Sequence, residues 1–348
     1  MKCVLFTDIH FGCHNNSDVF NQQCLDFIDF MANWCDENIN EDFDVFFLGD
    51  WFHQRNAINV KTLKYGDEGL VKLSNIGTHQ YMLLGNHDLY YRDKRDVSSI
   101  SIPQDAEGIE VIDSPLMLNN ILLCPWLVGD ESLKDLIDKH NPEYVFCHAE
   151  LPSFKLNQKI TMPGEFNPFD YVKTKKIISG HYHCASEKAN VLYMGNCFSH
   201  DFGDSGDWHN KGFVVFDTVT EETIRVEWLD APKYLVTTMT GLFDVKLLPN
   251  MHLRIINDSL LDEDDLIKVR EQLEADTNVV ECQILPKELS LDVDVESIEM
   301  NEIGNMNVII PEMLSKVEMD GIDSTKLINI YNNLEVKWRK LYFLYCLL

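Results

Sequence analysis

Five apolar stretches of this chain each end in a short run of His, Asp and Asn. Cys3-Val4-Leu5-Phe6-Thr7 leads into Asp8-Ile9-His10, and Asp44-Val45-Phe46-Phe47-Leu48 leads into Gly49-Asp50. Gln80-Tyr81-Met82-Leu83-Leu84 precedes Gly85-Asn86-His87-Asp88, Tyr144-Val145-Phe146-Cys147 precedes His148, and Lys175-Lys176-Ile177-Ile178-Ser179 precedes Gly180-His181-Tyr182-His183. The recurrence is one of context, not of sequence. Short apolar runs bounded by small residues read as buried strands. Each strand runs up to a surface and hands over a group that binds hard or borderline metal ions. One such event is ordinary. Five along one chain describe two metal ions held at one edge of a sheet system.

Two ions ~3.5–4 Å apart can hold both the attacking and the leaving oxygen of an in-line phosphoryl displacement. Such a pair needs a carboxylate between the ions, and Asp50 is placed for that role. Asp8, His10 and His183 would complete one shell; Asn86, His148 and His181 would complete the other. A mixed set of imidazole, carboxylate and amide suits Mn, Fe or Zn better than Mg or Ca. Positions two apart in a strand or tight turn face one side, so Asp8 with His10, and His181 with His183, can share a centre. Gly49, Gly85 and Gly180 let backbone pass close by. His87, next to Asn86, belongs just outside the pair, where a general acid serves the leaving oxygen. Asp88 is expected to orient His87 or a ligand. His53 reaches the same rim to contact a phosphate, with Arg55 a weaker candidate. His79, His140 and His252 lie outside any constellation and read as structural. His14, His200 and His209 fall in polar loops near the motifs and stay open. Asp201, Asp204 and Asp207 read as a solvated loop.

The surrounding pattern gives the organisation. Ser17 caps a helix with apolar positions at Phe20, Cys24, Phe27, Ile28, Met31 and Trp34. Strands over 44–50 and 79–85 flank a polar helix at about 58–74. Strands at 110–113 and 121–126, with a turn at Asn119-Asn120, are followed by a helix at 132–140 and a strand at 143–148. Four more strands are expected at 176–181, 190–196, 212–217 and 223–229. This order predicts an α/β layered domain with two sheets over 1–230. After Ala231-Pro232 comes a small strand-strand-helix-strand section, 231–285. An acidic linker, 286–307, leads to a helical tail, 308–348, with Leu327, Tyr331, Leu334, Trp338 and Leu341 on one stripe.

Composition sets limits. Apolar residues make up 45% of the 348 residues, which is globular. No stretch approaches the ~18–20 apolar residues that span a bilayer. A first strand at Cys3 leaves no room for a leader, so an intracellular, cytoplasmic chain without membrane contact is expected. None of the ten cysteines forms a Cys-x-x-Cys pair, and they read as core thiols of a reducing compartment. The formal charge is −28, from 29 Lys and Arg against 57 Asp and Glu. A chain that grips nucleic acid unaided usually has a basic face. This one would hold phosphates only locally or borrow a partner's surface.

The ordered set Asp-x-His, Gly-Asp, Gly-Asn-His-Asp, His, Gly-His-x-His resembles the calcineurin-like metallophosphoesterases. The extended second motif Gly49-Asp50-Trp51-Phe52-His53 is similar to that of the SbcD-type double-strand-break repair nucleases. The segment 193–217 looks like a diverged form of their Tyr-x-Gly-Ser stretch, with Gly195-Asn196-Cys197 as a departure. The compact length suggests the recombination endonuclease subunits of T4-like phages. The resemblance implies a four-layer two-sheet sandwich, with 231–285 as a small α+β DNA-capping domain. It implies a Mn-dependent DNA exo- and endonuclease subunit acting at DNA ends. Asp8, His10, Asp50, Asn86, His148, His181 and His183 match the ligands, and His87 and His53 match the active-site histidines. The tail would dock on a coiled-coil ABC-type ATPase of the SbcC type, in a heterotetramer built on a homodimer, within the host cytoplasm. Two other readings stand beside it: a phosphatase of the same superfamily acting on a small molecule or protein, and a mainly scaffolding DNA-end-binding subunit.

Overall fold

The structure, a computed structural model, describes residues 1–101, 108–156 and 160–286. The chain begins with β1 (Lys2–Phe6), β2 (Phe43–Phe47), β3 (Gln80–Leu83) and β4 (Ile109–Ile112), which lie parallel in that order. Helix α1 (Asp18–Asn38) joins β1 to β2, and α2 (Val60–Leu73) joins β2 to β3. A second sheet follows from β5 (Leu116–Leu118), β6 (Ile121–Cys124), β7 (Tyr144–His148), β8 (Lys176–Gly180), β9 (Ser186–Lys188) and β10 (Val191–Tyr193). Its order is β5-β6-β7-β8-β10-β9, with a parallel centre and antiparallel edges. Helix α3 (Leu133–His140) links β6 to β7. The chain then returns to the first sheet through β11 (Gly212–Asp217) and β12 (Thr223–Glu227), which extend it antiparallel to β12-β11-β1-β2-β3-β4.

The layers follow from side-chain alternation. Val4 and Phe6 face α1 and pack with Phe27, Ile28 and Met31, whereas Cys3 and Leu5 face the second sheet and pack with Phe146, Ile178 and Leu192. On β6, Ile121 and Leu123 point to the first sheet, and Leu122 and Cys124 point outward to Leu133 and Ile137 of α3. Both faces of each sheet are thus covered, which is why the central strands read as unbroken apolar runs. The result is the expected four-layer, two-sheet sandwich. Phe46 joins the sheets: its ring lies 5.0 Å from Tyr81, stacked, and 5.0 Å from Phe146, edge-on. A fully buried side chain of this size contributes about 1.5–3 kcal/mol. Ser17 caps α1 by accepting from the Phe20 amide, and the expected stripe is buried, with Trp34 at its margin and Cys35 inside it.

One connection differs from the sequence reading. The strands at 110 and 121 lie in different sheets, and the Asn119-Asn120 turn joins β6 to β5, not to β4. Asn119 has φ 53°, a left-handed conformation that Asn tolerates. Strands β5 and β9 have three residues each, too short to carry a period.

A third sheet of β13 (Lys233–Thr238), β14 (Met251–Asn257) and β15 (Val279–Pro286) is parallel throughout. Helix α4 (Glu263–Glu274) forms the crossover from β14 to β15, capped by Asp262 with Glu263, Asp264 and Asp265 in its first turn, where the helix dipole favours them. This sheet has its own apolar cluster around Met251, Leu253 and Ile255. It matches the strand-strand-helix-strand order expected for 231–285. The rest of the linker and the tail stripe of Leu327, Tyr331, Leu334, Trp338 and Leu341 lie outside the described residues. Every cysteine among the described residues is buried and outside any disulfide. Among those residues, no helix is long and apolar enough to cross a membrane.

Candidate metal centre

All five motifs sit at the carboxyl ends of parallel strands: β1, β2 and β3 of one sheet, β7 and β8 of the other. Backbone there leaves the strand abruptly. Asp8 (φ 53°), His10 (φ 54°), Asp50 (φ 65°) and His181 (φ 89°) all adopt left-handed conformations. Such residues cost about 1–3 kcal/mol each and persist where the surroundings over-determine them. Here the first two motifs are zipped together. Asp8 N donates to Gly49 O at 3.0 Å, His10 N to Asp50 O at 3.1 Å and Phe11 N to Trp51 O at 2.8 Å. Asp88 braces the same turn from below. Its carboxylate accepts from the amides of Asp50 (2.8 Å), Gly85 (2.9 Å), Trp51 (2.9 Å) and Phe52 (3.4 Å). It therefore holds the backbone of Asp50, and no bond to the His87 ring is found among the described contacts.

The side chains converge in two groups. One ligand atom from each of Asp8, His10 and His183 lies within 4.8 Å of the others, and the same holds for Asp50, His148 and His181. Asn86 Oδ1 joins the second group, 3.0 Å from His148 Nε2 and 3.0 Å from His181 Nδ1. Asp50 reaches both, since its Oδ2 lies 3.4 Å from His148 Nε2 and 3.7 Å from His10 Nε2. Asp8 Oδ2 is occupied by the Thr7 hydroxyl (2.7 Å) and the His181 amide (3.0 Å), whereas Asp8 Oδ1 and both ring nitrogens of His10 are buried without a hydrogen bond. Orphaned buried polar atoms of this kind are rare and call for an ion or water. A nitrogen-and-oxygen donor set fits a divalent transition ion.

Backbone carbonyls fix two imidazoles. His148 Nδ1 donates to Leu48 O at 2.7 Å, leaving Nε2 to the centre, and His87 Nδ1 donates to His53 O at 2.6 Å, leaving Nε2 free. His87 lies edge-on to His10 at 4.9 Å and stacked on His53 at 5.7 Å. Burial, aided by His87 and His183, pushes His53 down to about 4, so it is neutral at physiological pH. Burial likewise depresses His10. Burial alone would raise Asp50, but His148, His87 and His10 hold it well below the carboxylate range. Burial opposes charge on His148 too, yet Asp50 lifts it to about 9. Burial and the Asp50 charge push Asp88 up to about 7, against the backbone amides that favour its ionised form.

The glycines fit the close approach. A Cβ on Gly85 would collide with the Asp50 carboxylate and amide, and one on Gly180 with the Thr7 hydroxyl. Gly49, at φ 110°, would meet His148 Nδ1 at 2.5 Å.

Several residues near the centre were not anticipated. Thr7 directs Asp8, Trp126 lies 4.9 Å from the His181 ring, and Glu150 lies 3.7 Å from His181 Nε2. The reading of Asp201, Asp204 and Asp207 as a solvated loop is overturned. Asp204 and Asp207 are buried, each 3.2 Å from the buried ammonium of Lys211, and Asp201 caps a short turn at Gly203. The one available signal was the i,i+4 spacing of Asp207 and Lys211. His200, left open, is buried with its ring 5.2 Å from His183, and His14 Nε2 bonds its carbonyl at 2.7 Å. His209 is exposed beside Glu227. His79 pairs with Asp44, and His252 stacks on Tyr234 and faces Glu281. Arg55 is partly buried beyond His53.

Two sheets that deliver five His/Asp/Asn loops to one edge define a metallophosphoesterase. The calcineurin-like phosphoesterase family matches residues 1–185, a stretch that contains all five motifs, and the chain belongs to that family. It is also similar to exonuclease subunit 1 of Enterobacteria phage T4. The two are 28% identical over 302 residues, covering 83% of this chain and 86% of the relative. That likeness agrees with the resemblance to phage nucleases of the SbcD type.

Proposed function

We propose that this chain is the nuclease subunit of a DNA recombination and repair complex, hydrolysing phosphodiesters at DNA ends. The observation that carries the reading is the reach of Asp50 Oδ2 to both ligand groups, with His87 Nε2 open beside them. Asp8, His10, Asp50, Asn86, His148, His181 and His183 would hold two divalent ions, Mn for preference given the mixed donors. Bound ions would supply Lewis-acid stabilisation of the phosphoester and of its attacking and leaving oxygens. His87, its Nδ1–H fixed on the His53 carbonyl, would act as the imidazolium, giving its Nε2 proton to the departing 3′ or 5′ oxygen and returning to the neutral ring. His53, neutral and stacked on His87, contacts the phosphate.

The likeness to a phage exonuclease subunit supports both DNA as substrate and a partner. In this reading the third sheet caps the DNA, and 308–348 docks on a coiled-coil ABC-type ATPase. Two copies of each subunit form the assembly, in the host cytoplasm. The charge of −28 supports reliance on that partner for grip on DNA.

His87→Gln tests the chemistry. Mn-dependent DNA cleavage should fall by about 10²–10⁴-fold while Mn affinity, by calorimetry, stays unchanged. Wild-type cleavage by this variant refutes the role of His87. Hydrolysis of phosphomonoesters with none of DNA would replace the nuclease reading with the phosphatase one. Deleting 308–348 should abolish ATPase binding; retained binding refutes the tail assignment.

A further inference from the structure

Lys211 immediately precedes β11 and has none of its surface exposed. Its ammonium is surrounded by four oxygens: His183 O at 2.7 Å, Asp204 Oδ1 at 3.2 Å, Asp207 Oδ2 at 3.2 Å, and the Asn196 side-chain oxygen. Asp204 Oδ2 is taken by the His200 amide at 2.8 Å and Asn196 Nδ2 at 2.9 Å. Buried ion clusters of this kind are no more stabilising than apolar packing of equal volume. What this one adds is a grip on a particular carbonyl, that of His183, a member of the Asp8–His10–His183 group.

The other centre histidines are fixed differently. His148 and His87 are locked by carbonyls on their rings. The His183 ring has edge contacts with His10 at 5.3 Å and His200 at 5.2 Å, while its backbone is held by Lys211 and by the Asn196 amide at 3.3 Å. The approach is tight, since a Cβ on Gly195 would lie 2.9 Å from His183 O. His183, His200 and Asp204 are close enough to suggest another cation site. Both oxygens of Asp204 are already bonded, and Lys211 supplies the positive charge there. The carboxyl-bearing loop also has firm footing: Ser205 Oγ accepts from Val236 N at 2.8 Å, and Gly206 N donates to Tyr234 O at 3.1 Å, both on β13.

We infer that Lys211 is a positioning residue: its ammonium, clamped between Asp204 and Asp207, holds the His183 carbonyl and so aims that imidazole at the ion shared with Asp8 and His10. This rests on the two-ion reading. The third sheet, through Ser205 and Gly206, steadies the clamp.

The test is calorimetric titration of the metal-free full chain with Mn²⁺. Wild type should show two binding events, of which His183→Ala loses one. Lys211→Met/Asp204→Asn/Asp207→Asn removes the buried ammonium together with both of its carboxylates. It should weaken that same event by about 10–100-fold, the usual effect of losing a group that orients a ligand, and leave the other event unchanged. Wild-type affinity at both sites in a variant folded by circular dichroism overturns the inference. Should that variant be unfolded, Asp207→Asn, which keeps Lys211 and Asp204, carries the test with the same two outcomes. Absence of two events in the wild type overturns the two-ion reading itself, before Lys211 is altered.

Discussion

Asp88 offers the sharpest measure of how the centre is held. Its carboxylate is 1% exposed and gathers amides from two loops, with three bonds of 2.8–2.9 Å and one of 3.4 Å. Bonds to a charged acceptor contribute about 1.5–3 kcal/mol each, so the three short ones set an upper bound of roughly 5–9 kcal/mol. Asp88→Ala also removes the repulsion between two neighbouring carboxylates and lets the amides relax. A loss of about 3–5 kcal/mol is therefore expected. Asp88→Asn should be milder, about 2 kcal/mol, because its carbonyl can keep the Asp50 and Gly85 amides while its NH₂ faces the Trp51 amide. Urea unfolding of the metal-free full chain, followed by tryptophan fluorescence, reads both values. Mn titration should then show both binding events weakened, since Asp50 reaches both ligand groups. An Asp88→Ala variant within about 0.5 kcal/mol of wild type, or an Asn variant worse than Ala, would refute the reasoning.

Three further outcomes are expected. Gly85→Ala, with its methyl against the Asp50 amide and carboxylate, should cost about 1–3 kcal/mol and weaken Mn binding at both sites, checked by melting and calorimetry. Burial pushes the Cys3 and Cys35 thiols up to about 12, so thiolate is negligible at pH 8 and appears only as pH approaches that value. In a Cys346→Ser chain, a thiol reagent at pH 8 should thus react only after unfolding, and fast labelling of the native protein would contradict the core placement. Saturating Mn, at 100 times its dissociation constant, should stabilise the native state by about 2.7 kcal/mol per site, and chelation should reverse it. An unfolding midpoint that ignores both Mn and chelator would count against a metal centre.

Much of this protein is legible in one dimension. The strands that deliver Asp8, Asp50, Asn86, His148 and His181 are buried on both faces, so each appears as an apolar run that stops where the chemistry starts. The Phe20–Met31 stripe of α1 is equally local, a matter of helical period. Those patterns suffice for two sheets, their covering helices and the motif residues that the fold brings together. The partnership of β4 with β3 and of β6 with β7 was not legible, because which strand lies beside which within a sheet is set by contacts distant in sequence. Nor were the left-handed turns at Asp8, His10, Asp50 and His181, which are held by bonds between loops distant in sequence. The segment from Asp201 to Lys211 shows the limit most plainly. Its composition is that of a solvated loop, and a carboxylate in water and a carboxylate on a buried ammonium have the same letter. Sequence determined which groups could bind metal; tertiary structure decided which of them are aimed, by setting what stands behind each one.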